Sequence, residues 1–161
     1  MMSAIAVIGG TGFERLHADF VMESIVEGTP FGQVSLVRVQ APGMKFLFLP
    51  RHGGDHGVVP HMVNYRANIL ALKQLGVERI IATNAVGSLR TDMAPGLISI
   101  LDDFIDMTRG RPTTLWDSGG GDNRIVIHTD FTQPDCPQLR DSLIAVSESA
   151  GIPVQNRCTY V

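Results

Sequence analysis

The chain has 161 residues, enough for one domain with a sizeable core, and its 44% hydrophobic and 18% charged content is that of a globular α/β protein. A formal net charge of −3 argues against a general nucleic-acid binder, so a bound phosphate must be held by local groups. Cys136 and Cys158 share no short spacing or ligand set, no apolar run reaches membrane-spanning length, and the Met1-Met2-Ser3-Ala4 start lacks a basic secretory region; a reducing cytoplasm is the expected location.

Residues 4–8 are short, β-branched and closed by glycines, which predicts a buried strand. Thr29-Pro30-Phe31-Gly32 predicts a turn and residues 33–39 a strand. Ala41-Pro42-Gly43 predicts a second turn before the apolar strand at 46–49, so antiparallel hairpins join the sheet. Pro60 opens a predicted helix of about four turns that ends near Leu75, with Val63, Ala67, Leu70 and Ala71 at helical spacing and Gly76 as the stop. A strand at 79–83 follows, giving residues 46–83 the strand–helix–strand order of a parallel pair.

Pro95-Gly96 then turns the chain into a strand at 97–101, with Asp102 and Asp103 at its end. Residues 108–123 show no periodicity and predict a long surface loop. A short strand at 125–127 comes next. Pro137 introduces a helix from 138 to about 150 with Leu139, Leu143 and Val146 inward. Residues 156–161 open a last strand. No internal repeat, linker or low-complexity tract interrupts the chain.

Three turns that follow apolar runs are candidate anion sites. In Gly9-Gly10-Thr11-Gly12 the glycines let backbone N–H groups approach an anion and the threonine adds a hydroxyl donor. The spacing fits neither the dinucleotide fingerprint nor the P-loop, and a plain tight turn is the rival reading. In Arg51-His52 the guanidinium fork suits phosphate oxygens and histidine adds a donor. The rival is a surface ion pair of Arg51 with Asp55 and a solvated histidine.

The third turn, Thr83-Asn84-Ala85-Val86-Gly87-Ser88, ends a strand in small residues, where open α/β sheets bind ligands; an ordinary strand-to-loop turn is the alternative. His52, Asp55 and His56 lack a metal-ligand pattern, so no metal is expected, and His56 and His61 read as structural or outer groups. His128 and Asp130 end a short strand, where a lone histidine is commonly a hydrogen-bonded structural residue. Asp102, Asp103 and Asp106 read as a solvated edge, while Trp116 and Phe131 fit a ligand contact, an interface or a core. No Ser-His-Asp or Cys-His pairing supports covalent catalysis, and the sequence marks no residue as certainly catalytic.

Ile8-Gly9-Gly10-Thr11-Gly12, Arg51-His52-Gly53, the helical VNYRAN, the TNAVGSL turn, DDFIDMT and IHTDFTQP together resemble the methylthioadenosine/methylthioinosine phosphorylase branch of the trimeric purine nucleoside phosphorylases. The resemblance spans nearly the whole chain. It implies an α/β, three-layer domain with a mixed twisted central sheet of the nucleoside phosphorylase type, as one domain over 1–161.

The implied reaction is phosphorolysis of a purine nucleoside, S-methyl-5′-thioadenosine or S-methyl-5′-thioinosine, to free base and (5-methylthio)ribose 1-phosphate. A broader 6-oxopurine nucleoside phosphorylase and a catalytically incomplete phosphate-binding or assembly domain are the alternatives. By resemblance, Thr11, Arg51, His52, Asn84 and Ala85 hold phosphate. Val86 and Gly87 contact substrate, and His128 reaches a neighbouring subunit's site beside the sugar's 5′ substituent. Inorganic phosphate is co-substrate with no cofactor, and the expected partners are purine nucleoside, phosphate and two further copies in a homotrimer, without nucleic acid or membrane.

Two departures accompany the resemblance. Asn84 stands where eukaryotic methylthioadenosine enzymes have threonine, although its amide still offers a donor. The family also continues past the position of Val161 with the segment that reads the purine, so the chain is expected to lack the C-terminal part of the fold.

Overall fold

The computed structural model describes residues 5–13, 16, 19–115 and 128–161. The expected strand at 125–127, Trp116 and the glycine-rich part of the predicted loop lie outside them, as does Ala4. The chain divides into two compact units, Met1–Val86 and Gly87–Val161.

The first unit is a five-stranded mixed sheet in the order β2-β3-β4-β1-β5, built from β1 (Ile5–Gly9), β2 (Val21–Thr29), β3 (Gly32–Ala41), β4 (Met44–Pro50) and β5 (Arg79–Ala82). The first, third and fourth of these match the expected runs to within a few residues. The nine-residue β2 is an addition: Ile25, Glu27 and Thr29 form its half-buried row, while Val21, Met22 and Val26 stay exposed. An edge strand needs only one inward row, so its sequence carries no strong apolar run.

Two tight hairpins fix the register. Ala41 pairs with Met44 around Pro42-Gly43, and Gly43 has φ +78°, the left-handed conformation that the second corner of a type II turn demands. Thr29 pairs with Gly32; its Oγ1 accepts the Phe31 amide at 3.1 Å and donates to the Gly32 carbonyl at 2.7 Å.

The expected helix at Pro60 divides in two. Pro60–Met62 forms a single 3₁₀ turn, Val63 is extended, and α1 runs over Tyr65–Gln74. Asn64 sets the true start. Its Oδ1 accepts the Ala67 amide at 3.1 Å as N-cap, while its Nδ2 donates to the Phe31 carbonyl at 2.7 Å, tying the helix to the β2–β3 turn. Arg66 stacks over the Phe31 ring at 3.9 Å. The helix ends as expected at Gly76, φ +76°, with the Gly76 amide on the Lys73 carbonyl and the Val77 amide on the Leu72 carbonyl.

Pairing registers place Ile25, Leu36, Leu47, Ala6 and Ile80 on one face of the sheet. Ala67, Ala71 and Leu72 of α1 close over that face, forming the core with Val34, Leu36, Leu47 and Leu49. Burying a leucine-sized side chain here contributes about 1.5–3 kcal/mol. On the opposite face Val39 and Phe48 are buried.

β1 pairs in parallel with both β4 and β5. The expected parallel relation of the 46–49 and 79–83 runs therefore holds, but through β1, which lies between them. All three strands end at the same edge.

In the second unit, β6 (Ile98–Ser99) pairs in parallel with β8 (Val154–Gln155), and β7 (Asp103–Phe104) with β9 (Thr159–Tyr160). Bonds from the Ile100 amide to the Gln155 carbonyl and from Asp102 to Cys158 continue the pairing between these short pieces. The expected strand at 97–101 is thus one part of an interrupted ladder.

The helix α2 (Pro137–Ser149) closes at Gly151, φ +67°, with the same pair of terminal bonds as α1. Arg140 donates to the Leu101 carbonyl at 2.5 Å and to Asn156 at 2.6 Å, bridging helix and ladder. Leu139 and Leu143 are half-buried as expected, but Val146 is 64% exposed. The covered stripe centres on Leu143, Ile144 and Ser147, which leaves Val146 at its margin.

Asn64→Ala should lower unfolding free energy by about 1 kcal/mol, because it removes the cap. Asn64→Asp, which retains the cap acceptor, should keep most of that stability. Equal urea midpoints for all three chains would contradict the capping role.

Candidate functional site

The carboxyl ends of β4, β1 and β5 lie side by side, because Gly9 registers with Pro50 and Ile8 with Ala82. The next residues on each strand are Arg51, Gly10 and Thr83, so the three candidate turns meet at one sheet edge. Parallel strands impose this convergence, and such an edge is where open α/β sheets hold ligands.

Gly10, Thr11, Gly12 and Phe13 form a β-turn, with the Phe13 amide on the Gly10 carbonyl at 2.9 Å and Gly12 at φ +82°. The tight-turn reading is therefore correct as geometry, and it presents Thr11 at an exposed corner. The Gly10 amide is committed to the Thr83 hydroxyl at 3.1 Å. It is not aimed at a ligand. What Gly10 supplies is space: a Cβ there would lie 2.3 Å from Arg51 Nη2 and 2.4 Å from the Thr83 carbonyl oxygen.

Arg51 is held from two sides. Its amide donates to the Gly9 carbonyl at 3.2 Å and its Nη1 donates to the Thr83 carbonyl at 2.5 Å. Asp55, the ion-pair partner of the rival reading, instead accepts the Gly57 amide at 3.1 Å. Nor is His52 solvated. It is 6% exposed, with Nδ1 2.8 Å from the Val58 carbonyl, and the Val58 amide returns a bond to the His52 carbonyl. A carbonyl only accepts, so Nδ1 carries the proton and Nε2 is left to face a second partner. The His56 ring lies 5.0 Å from that of His52.

Asn84, Ala85 and Val86 follow β5 and are exposed. Thr11, Arg51, His52, Asn84, Ala85 and Val86 all belong to the first unit. Gly87 and His128 belong to the second, and both are exposed. Beside His128, Asp130 accepts the Thr132 hydroxyl at 2.5 Å and the Thr132 amide at 2.8 Å. The hydroxyl first, and then the amide, hold the Asp130 carboxyl below the usual carboxylate range.

The residue not singled out from the sequence is Thr83 itself, whose hydroxyl and carbonyl join Gly10 and Arg51. Its one sequence signal is a hydroxyl at the first position after the apolar 80–82 run. Among the described residues, no group of three or more His, Cys, Asp or Glu is arranged to hold a metal ion. Nor is any helix among them long and apolar enough to cross a membrane.

Residues 4–161 match the family described as the Phosphorylase superfamily. The chain is 44% identical to the 6-oxopurine nucleoside phosphorylase of Pyrococcus furiosus, covering 99% of this chain and 61% of that protein. It is also 44% identical to the S-methyl-5′-thioadenosine phosphorylase of Thermofilum pendens, over 98% of this chain and 59% of that one. The solved methylthioadenosine phosphorylase from Schistosoma mansoni in complex with adenine superposes with a TM-score of 0.88 at 33% identity, covering 98% of this chain and 63% of that one. The α/β class with a mixed central sheet of the nucleoside phosphorylase type is thereby the fold observed. The chain spans about three fifths of the length of the curated relatives it matches.

Gly10→Ala should displace the Arg51 guanidinium and lower stability by about 1–3 kcal/mol, the usual cost of overpacking. Urea unfolding measures it. A variant as stable as the unsubstituted chain would show that the approach of Arg51 to Gly10 is not a close one.

Proposed function

The chain belongs to the phosphorylase superfamily, and on that premise we propose that it serves phosphorolysis of a purine nucleoside carrying a 5′-methylthio group. S-methyl-5′-thioadenosine or S-methyl-5′-thioinosine plus inorganic phosphate gives free base and (5-methylthio)ribose 1-phosphate. The observation that carries this reading is the convergence of Arg51, the Gly10–Phe13 turn and the segment after Thr83 at one strand edge. Phosphate sits across Thr11, Arg51, His52, Asn84 and Ala85, and Val86, Gly87 and His128 serve the nucleoside.

The chemistry follows from charge. As the bond from C1′ to the purine nitrogen breaks, the sugar gains cationic character. A phosphate oxygen bonds to C1′ from the opposite side. A phosphate fixed in place stabilises that charge and is also the nucleophile, so its positioning serves both purposes. Arg51 supplies a planar fork of donors for two phosphate oxygens. With its proton on Nδ1, His52 is a positioning group that accepts the P–OH of hydrogen phosphate at Nε2 rather than donating to it. No cofactor or metal enters this scheme. The active unit is a homotrimer in which His128 serves a neighbouring copy, and the location is cytoplasmic.

A second reading, a broader 6-oxopurine nucleoside phosphorylase, is favoured by one observation: relatives at equal 44% identity carry both names. Base release from methylthioadenosine, methylthioinosine and inosine, each with and without phosphate, separates the two. The expected result is phosphate-dependent release that is fastest from a methylthio nucleoside. Fastest release from inosine would favour the broader enzyme, phosphate-independent release would indicate hydrolysis, and no release would leave a phosphate-binding domain. Arg51→Ala should raise the phosphate concentration for half-saturation by roughly 10- to 100-fold, as for a lost charge-assisted pair, with a smaller effect on stability. Unchanged phosphate dependence would remove Arg51 from the site.

A further inference from the structure

Resting on the phosphorolysis reading, and going one step into the same site, we infer that Thr83 is a positioning residue for phosphate, acting through Arg51 and the Gly10–Phe13 turn. Thr83 is half-buried at the end of β5, with every polar group committed to a neighbouring strand end. Its amide donates to the Ile8 carbonyl at 3.0 Å, its hydroxyl accepts the Gly10 amide at 3.1 Å, and its carbonyl accepts Arg51 Nη1 at 2.5 Å. The same hydroxyl lies 3.5 Å from the Ile8 carbonyl, which gives its own proton a direction.

These bonds define a clamp. The guanidinium is gripped on one side by the Thr83 carbonyl, and on the other it lies against Gly10, where a Cβ would come within 2.3 Å of Nη2. The Thr83 hydroxyl holds Gly10 in that place. An unclamped arginine must give up rotamer freedom when it takes an anion, and a clamped one has already done so on folding. Thr83 therefore contributes to phosphate affinity without touching phosphate. The turn benefits as well: with the Gly10 amide fixed, the Thr11 corner is held at one height above the strand ends.

A purely structural threonine would make a different prediction, which a double-mutant cycle separates. The probe is inorganic phosphate, titrated calorimetrically into the full chain and into Thr83→Val, Thr83→Ser, Arg51→Ala and the Thr83→Val/Arg51→Ala pair. Thr83→Val, nearly isosteric but without the hydroxyl, should bind phosphate roughly tenfold more weakly, the scale of one part-buried hydrogen bond. Thr83→Ser should recover most of the affinity. In the Arg51→Ala background the valine should change affinity by less than about twofold, because the group it positions is gone.

Thr83→Ala runs the same cycle if the valine chain does not fold. Equal affinity of Thr83→Val and the unsubstituted chain, or a full tenfold loss that persists without Arg51, overturns the inference alone. No phosphate uptake by the unsubstituted chain overturns the phosphorolysis reading and takes this inference with it.

Discussion

The feature on which the rest depends is the adjacency of three parallel strand ends. β4, β1 and β5 are consecutive in the sheet, so the chain leaves the sheet three times at one edge within bonding distance. Residues far apart in sequence, Gly10, Arg51 and Thr83, are thereby joined by direct hydrogen bonds. Everything else in the first unit serves this edge. The two hairpins set the register of β4, and α1 with its Asn64 cap carries the chain back to begin β5 in parallel.

The division of labour within the edge is chemical. A chain of net charge −3 has no overall field to draw in an anion, so a site must rest on placed donors. Arg51 is the one full positive charge among the proposed phosphate groups, and its geometry is set before any ligand arrives. Glycine acts here by absence of a side chain. At Gly9 a Cβ would lie 2.7 Å from the Phe48 ring, and at Gly10 it would strike the guanidinium. The amide of Gly10 holds the scaffold together, which leaves Thr11 and the segment after Thr83 to face outward.

Much of this was legible in the sequence because it is encoded locally. Gly43 and Gly76 each mark a backbone conformation that few other residues adopt, and each appears where expected. Arg51-His52 was legible as a basic pair closing an apolar strand, and the structure places Arg51 at the shared edge, bonded to the Thr83 carbonyl. What escaped was set by partners distant in sequence. β2 is an edge strand with only Ile25 packed into the core, so it lacks an apolar run. The start of α1 depends on Asn64, whose amide also reaches Phe31. Thr83 is an ordinary strand-end threonine until Gly10 and Arg51 are brought to it. Val146 fits the helical spacing but sits at the margin of the stripe that the ladder covers.

The most direct test is amide chemical-shift mapping of the isotopically labelled chain during titration with inorganic phosphate. The account predicts that amides of Thr11, Gly12, Arg51, His52, Asn84 and Ala85 move together along one binding curve. Shifts confined to other parts of the molecule, or separate curves for the three segments, would contradict a shared cradle.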